Sequence, residues 1–267
     1  MQPFDHAIRT TKGARDYQED AAAFWPSKDP SSGGQDVPTA NATRLVAVLA
    51  DGMGGHTAGA LASRMLCENF ISAYASLNGA RPKRLLKALK TANAAIAEKV
   101  RANPVLSGMG STIVAAVFAD DGVEWVSVGD SPLLLFRRGE IALLNEDHSL
   151  APELDRMAAA GRMTVEEAKH DPRRHMLRSA VTGEELDLID LTGRPLMLEP
   201  GDYIILASDG LQTLEMTEIQ RVVAAYAEDG AEAVAGALIR AVEAVRDPHQ
   251  DNTTVFAVRA MPVSASA

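Results

Sequence analysis

Cysteine is almost absent from this chain: Cys67 stands alone in 267 residues. One thiol cannot form an internal disulfide, so the expectation is a reducing cytoplasm rather than a disulfide-stapled fold. Leu66 and Phe70 lie near it in a helix-like segment, which marks it as a buried core thiol and not a nucleophile. Long apolar runs are missing too. None approaches the roughly 18 residues that a membrane helix needs, and the opening MQPFDHAIRTTKGARD lacks the apolar stretch of a secretion signal. Positive charge is in deficit, with 26 Lys and Arg against 36 Asp and Glu and a net charge of -10. That balance argues against nucleic acid or an anionic membrane as the partner. No repeat of a solenoid kind is present.

What remains is a globular composition, 46% apolar, on a chain long enough for a closed core. Short runs bounded by Gly, Asp or Pro predict strands at 21–25, 45–50, 112–118, 124–128, 133–136, 187–191, 203–207 and 254–258. Leu85, Leu89, Ala92, Ile96 and Val100 recur at helical spacing and predict a helix over 82–102. Further helices are expected at 58–78, 217–227 and 231–245, with a capping box at Thr164 and Glu167. The Pro-, Ser- and Gly-rich stretch 26–43 reads as a surface loop, and the last residues, 262–267, as a frayed tail. Strands in blocks with helices in pairs do not alternate as a Rossmann sheet does. The expectation is antiparallel sheets covered by helices.

One pattern recurs across these blocks. The run LVAVLA ends on Asp51, EWVSVGD on Asp130 and YIILASD on Asp209. Asp251 precedes the strand TTVFAV, and Glu19 and Asp20 precede AAAFW. A single acid at such a place is an ordinary turn residue. Five together at one end of a sandwich would repel one another unless a cation held them. Carboxylates and carbonyls without Cys or His are hard ligands, suited to Mg²⁺ or Mn²⁺ rather than Zn²⁺. Around Asp51 the loop GMGGHTAG lacks the Gly-Lys-Ser/Thr ending of a P-loop and the G-x-G-x-x-G of a dinucleotide site. Gly52, Gly54 and Gly55 then read as positions that let the loop close tightly around an ion, with the Gly52 carbonyl as a ligand. The Asp-x-Asp nucleophile motif of haloacid-dehalogenase-type phosphatases is also missing after this strand.

Seven motifs in order carry a resemblance: ARDYQED (14–20), ADGMGGH (50–56), GMGSTIVAAVF (108–118), VGDSPLLLFRRGEIALLNEDHS (128–149), LRSAVTG (177–183), GDYIILASDGL (201–211) and QDNTTVFAV (250–258). Together they resemble the metal-dependent serine/threonine protein phosphatases of type 2C, in their bacterial branch. The resemblance implies an α+β fold: a four-layer α-β-β-α sandwich of two antiparallel sheets flanked by helix pairs. It implies a single catalytic domain over 1–267, with a substrate-selecting flap at about 150–174. It also implies hydrolysis of phosphoserine and phosphothreonine on proteins by in-line attack of a hydroxide bridging two divalent ions, Mn²⁺ or Mg²⁺.

Carried over residue by residue, Asp51 bridges both ions. Asp209 and Asp251 complete one shell, Glu19 and the Gly52 carbonyl the other. Asp130 with Asp209 matches a third, weaker site. Asp20 and Asn252 stand one layer behind, and Arg15 grips the substrate phosphate. The catalytic set is thus Arg15, Asp51 and Asp209. The implied partners are phosphorylated proteins, substrates of a cognate serine/threonine kinase, with a monomeric, cytoplasmic enzyme. The alternative is a catalytically weak or dead module of the same fold in signalling.

The sequence departs from the family twice. Relatives outside the bacterial branch often have a histidine where Met53 stands, and methionine cannot protonate a leaving group. His56 and His148 are then read as a helix-start residue and a loop-ordering residue. Pro132 replaces the arginine of GDSR beside Asp130. Arg173, Arg174 and Arg178 are expected to form a basic rim for phosphopeptides.

Overall fold

The computed structural model describes residues 4–26, 43–55 and 57–262. The expected loop at 26–43 and tail at 262–267 lie outside these residues except at their margins, and His56 lies outside them altogether.

Two five-stranded sheets form the centre, and every pairing in them is antiparallel. The first runs, edge to edge, through β1 (Phe4–Thr11), β12 (Thr253–Ala260), β11 (Tyr203–Ala207), β8 (Leu133–Arg137) and β9 (Glu140–Leu143). The second runs through β10 (Asp190–Leu191), β7 (Gly122–Val128), β6 (Ile113–Ala119), β3 (Thr43–Ala50) and β2 (Ala21–Trp25). A two-residue pair, β4 (Gly52–Met53) with β5 (Gly110–Ser111), continues beyond Asp51.

The period of two in a strand sorts the core into three layers. Leu45, Ala47 and Leu49 of β3, with Val114, Ala116 and Phe118 of β6, meet Leu133, Ile204, Leu206, Phe256 and Val258 of the other sheet. The alternate residues Val46, Val48, Ile113, Ala115 and Val117 turn outward onto α1 (Thr57–Ser76) and α2 (Arg81–Ala102). On the far side Leu134, Phe136, Tyr203, Ile205, Val255 and Ala257 pack on α5 (Met216–Tyr226) and α6 (Ala231–Val245). Central strands are therefore buried on both faces, which is why they read as unbroken apolar runs instead of alternating ones. The four-layer α-β-β-α arrangement follows.

The pair α3 (Ala151–Ala159) and α4 (Val165–His170) makes up the excursion at 150–174. The Thr164–Glu167 capping box is formed there, with Glu167 N–H donating to the Thr164 hydroxyl at 3.1 Å and Thr164 N–H to the Glu167 carboxylate at 2.7 Å. The strand expected at 187–191 shrinks to Asp190–Leu191. Two edge strands, β1 and β9, carry little buried side chain and were not expected: in β1 only Ala7 is buried. Among the described residues no helix is long and apolar enough to cross a membrane.

Candidate metal centre

Antiparallel pairing brings the critical ends together. β2 begins opposite the end of β3, with Ala21 across from Ala50, so Glu19, Asp20 and Asp51 share one edge of their sheet. β7 ends there too, and Asp130 follows it by two residues. In the facing sheet β11 ends and β12 begins at the same end, with Ala207 across from Val255. Asp209 and Asp251 flank that point. Glu19, Asp51, Asp130, Asp209 and Asp251, with Arg15, line one cavity of about 330 Å³.

Backbone contacts hold Asp51 in place. Thr112 N–H and the Ser111 hydroxyl both donate to its carbonyl, at 2.9 and 2.7 Å, and its own N–H donates to Thr112 Oγ1 at 3.1 Å. Asn252 ties the N-terminal loop to the site. Its Oδ1 accepts from Glu19 N–H at 2.7 Å, and its Nδ2 donates to the carbonyls of Lys12 and Tyr17, both at 3.0 Å. Asp20 accepts from the Ser208 hydroxyl at 2.8 Å. Arg15 donates to the Asp251 carboxylate at 2.6 Å.

Burial and mutual repulsion set the protonation of this group. Burial lifts the Asp51 carboxyl well above the ordinary carboxylate range, and the charges of Asp209, Asp20 and Asp130 add to it. Asp209 is raised by burial and then by Asp251, while a hydrogen bond shared with Asp51 opposes the rise. Burial pushes Asp130 to about 7, with Asp209 and Asp147 adding to it. Burial likewise carries Asp20 to about 6, against hydrogen bonds from Thr254 and Ser208.

These residues fit a divalent cation on three counts. Asp209 Oδ1 and Asp20 Oδ1 are buried without a hydrogen-bond partner, a costly state for a carboxylate. The donors are all oxygen. A side chain at Gly59 would run into the Glu19 carboxylate and the Gly52 backbone, and one at Gly52 would run into the carbonyls of Gly59 and Glu19, so both positions must be glycine to leave this oxygen-lined cradle open. Among the described residues, however, no three acidic, His or Cys side chains converge on one point as placed. Asp51 and Asp209 are linked by a hydrogen bond, and Asp251 is held by Arg15.

The structure revises the surroundings of the site. Arg173 is paired with Asp171 at 2.8 Å and Arg174 with Asp155 at 2.7 Å, so two of the three arginines expected to form a basic rim are already neutralised. Near Asp130, where Pro132 replaces an arginine, Asn145 takes over the hydrogen bonding. It accepts from Leu133 N–H at 2.7 Å and donates to the Ser131 carbonyl at 3.0 Å. His148 orders the adjoining loop: its Nδ1 accepts from Gly129 N–H at 3.2 Å and its backbone N–H donates to the Gly129 carbonyl at 3.1 Å. Burial pushes its imidazole pKa down. Cys67 lies in the core, its thiol pushed up by burial. The sequence reading missed His175, which lines the cavity beside Leu177 and whose charge acts on Asp209.

Comparison with known proteins follows the same lines. A family model described as protein phosphatase 2C matches residues 34–250. The serine/threonine phosphatase stp of Listeria monocytogenes is 32% identical over 222 residues, covering 79% of this chain and 81% of that protein. The serine/threonine protein phosphatase PstP of Mycobacterium tuberculosis is 39% identical over 173 residues, 63% of this chain. That match spans only 32% of the PstP chain, about a third of its length. The crystal structure of M. tuberculosis PstP superposes with a TM-score of 0.77 at 27% identity, covering 98% of this chain and 100% of that one. A structure of the PstP catalytic domain in complex with two manganese ions gives 0.75 at 27% identity, with the same coverage.

Proposed function

The chain belongs to the protein phosphatase 2C family, and from that premise we propose that it hydrolyses phosphoserine and phosphothreonine on proteins with the help of two divalent cations, Mn²⁺ or Mg²⁺. The observation that carries the reading is the convergence of five acidic residues, from both sheets, on one cavity with an arginine beside them. The bacterial relatives are named serine/threonine phosphatases, and one was solved with manganese. The substrates are then phosphoproteins made by a serine/threonine kinase, met by a monomeric enzyme in a reducing cytoplasm.

In this reading Asp51, Asp209, Asp251, Glu19 and the Gly52 carbonyl would hold two divalent cations, and Asp130 with Asp209 would be available to a third. Bound there, divalent cations supply a water of lowered pKa and offset charge on the phosphoryl oxygens. The chain's own residues do the rest. Arg15, 46% exposed and paired with Asp251, offers a planar fork that suits a phosphate as well as a carboxylate. Asp20, fixed by Ser208, accepts a proton from water at its unpartnered Oδ1. Asn252 keeps Glu19 in register through the backbone. Cys67 takes no part, because it is buried away from the cavity.

The test is phosphate release from a phosphothreonine peptide. Release with Mn²⁺ that excess EDTA abolishes and fresh Mn²⁺ restores is the expected result. Folded, Mn²⁺-loaded protein that releases none would point instead to a non-catalytic module of this fold.

A further inference from the structure

Hydrolysis of an alkyl phosphate ends with an alkoxide that needs a proton. Met53, next to Gly52, lines the cavity and has no proton to give. Arg15 keeps its proton at all working pH values, and the acids that line the cavity would be held by the cations. Imidazole is the side-chain type that takes up and releases a proton between about pH 5 and 8. Among the described residues lining the cavity, His175 is the one imidazole.

The placement of His175 is built, not incidental. Its segment is stitched across the end of the sandwich by Leu150 N–H to the Met176 carbonyl at 3.0 Å, by Arg178 N–H to the His148 carbonyl at 2.8 Å, and by the bridge between Ser149 and Leu177. On one side Arg174 is clamped by Asp155 through both guanidinium nitrogens, at 2.7 and 2.9 Å. His175 closes a turn whose Met176 N–H donates to the Arg173 carbonyl at 2.9 Å, and both it and Leu177 line the cavity. The ring is exposed to solvent and close enough to Asp209 for its charge to act on that carboxylate.

Resting on the phosphatase reading above, we infer that His175 is the general acid that protonates the departing seryl or threonyl oxygen. A water oxygen forms the new bond to phosphorus and loses one proton to Asp20, which passes it on to solvent. The bond from phosphorus to the side-chain oxygen breaks, its electron pair stays on that oxygen, and the imidazolium proton of His175 moves to it. The products are the alcohol and inorganic phosphate. The ring then regains a proton from solvent, to which it is open.

The test is His175→Gln assayed on two substrates, with Mn²⁺ affinity measured by calorimetry alongside. A phosphothreonine peptide has a poor leaving group, whereas para-nitrophenolate departs unaided as a stable anion. The expected result is a fall in kcat of about 100-fold on the peptide and no more than about threefold on para-nitrophenyl phosphate, the size range of general-acid catalysis. Mn²⁺ affinity should stay within about twofold of the parent, since His175 touches the leaving group and not the cations. Equal falls on both substrates, or no fall on the peptide, would overturn the assignment. A parent protein inert toward both substrates would instead overturn the phosphatase reading beneath it.

Discussion

Asp209→Asn should reduce phosphate release from a phosphothreonine peptide about a thousandfold or more, equivalent to about 4 kcal/mol of transition-state stabilisation. The magnitude follows from what the residue is asked to do. Asp209 ends an apolar strand, keeps Oδ1 buried without a partner, and feels both Asp51 and Asp251. Asparagine preserves its shape but removes the charge that would hold a cation. The fold should survive: the variant should melt at or above the parent's temperature in EDTA, because one of several crowded carboxylates has been neutralised. Loss of release with an undiminished melting temperature is the signature sought. A variant retaining a tenth or more of the parent's rate would contradict the role of Asp209.

The second large effect is on stability without a cation. In the unfolded chain an aspartate ionises near 3.9. In the folded protein burial holds Asp20 at about 6 and Asp130 at about 7, and raises Asp51 and Asp209 as well. Between these limits the folded state binds more protons than the unfolded one, so stability is fully present below about pH 4 and drains away as pH rises through 6 and 7. For Asp130 alone, the interval from 3.8 to about 7 corresponds to about 4 kcal/mol as an upper figure. His148 opposes this over part of the range, since its burial favours the neutral ring and rewards higher pH. The net expectation for EDTA-treated protein is a melting temperature about 5 °C or more higher at pH 5 than at pH 8. Mn²⁺ should reverse the order by replacing the protons, giving its largest stabilisation at pH 8. Thermal melts at the two pH values, with EDTA and with Mn²⁺, measure this. Flat or rising stability from pH 5 to 8 in EDTA would contradict it.

The acids were legible in the sequence because each interrupts or ends a run that could only be buried. Asp51, Asp130, Asp209 and Asp251 follow or precede β3, β7, β11 and β12 by one or two residues, and strand register does the rest. Helix α6 was readable to both ends, since Gly230 precedes it and its apolar spacing stops at Val245. What closes that helix was not readable. Asp5, 226 residues distant, accepts from the first helical N–H of Ala231 at 2.8 Å. The strand carrying Asp5 was missed for a related reason: as an edge strand it buries Ala7 alone and shows no apolar alternation. Helix α3 buries only Leu154, too little to show a stripe.

The site itself was legible as a gathering of acids and illegible as surroundings. The hydrogen bonds of Asn145 and the arrival of His175 at the cavity depend on distant segments meeting, which no spacing along the chain encodes. The pairing of Arg173 and Arg174 with Asp171 and Asp155 likewise depends on how 150–174 folds back on itself. Charge counted along the sequence made that stretch a basic rim; charge placed in space cancels most of it.

The most direct measurement is anomalous diffraction at the manganese edge from crystals grown with Mn²⁺. Two peaks in the cavity, both at coordinating distance from the Asp51 carboxylate and flanked by Glu19, Asp209 and Asp251, are the predicted result. Manganese bound elsewhere, or a cavity that no ion enters, would contradict the account at its root.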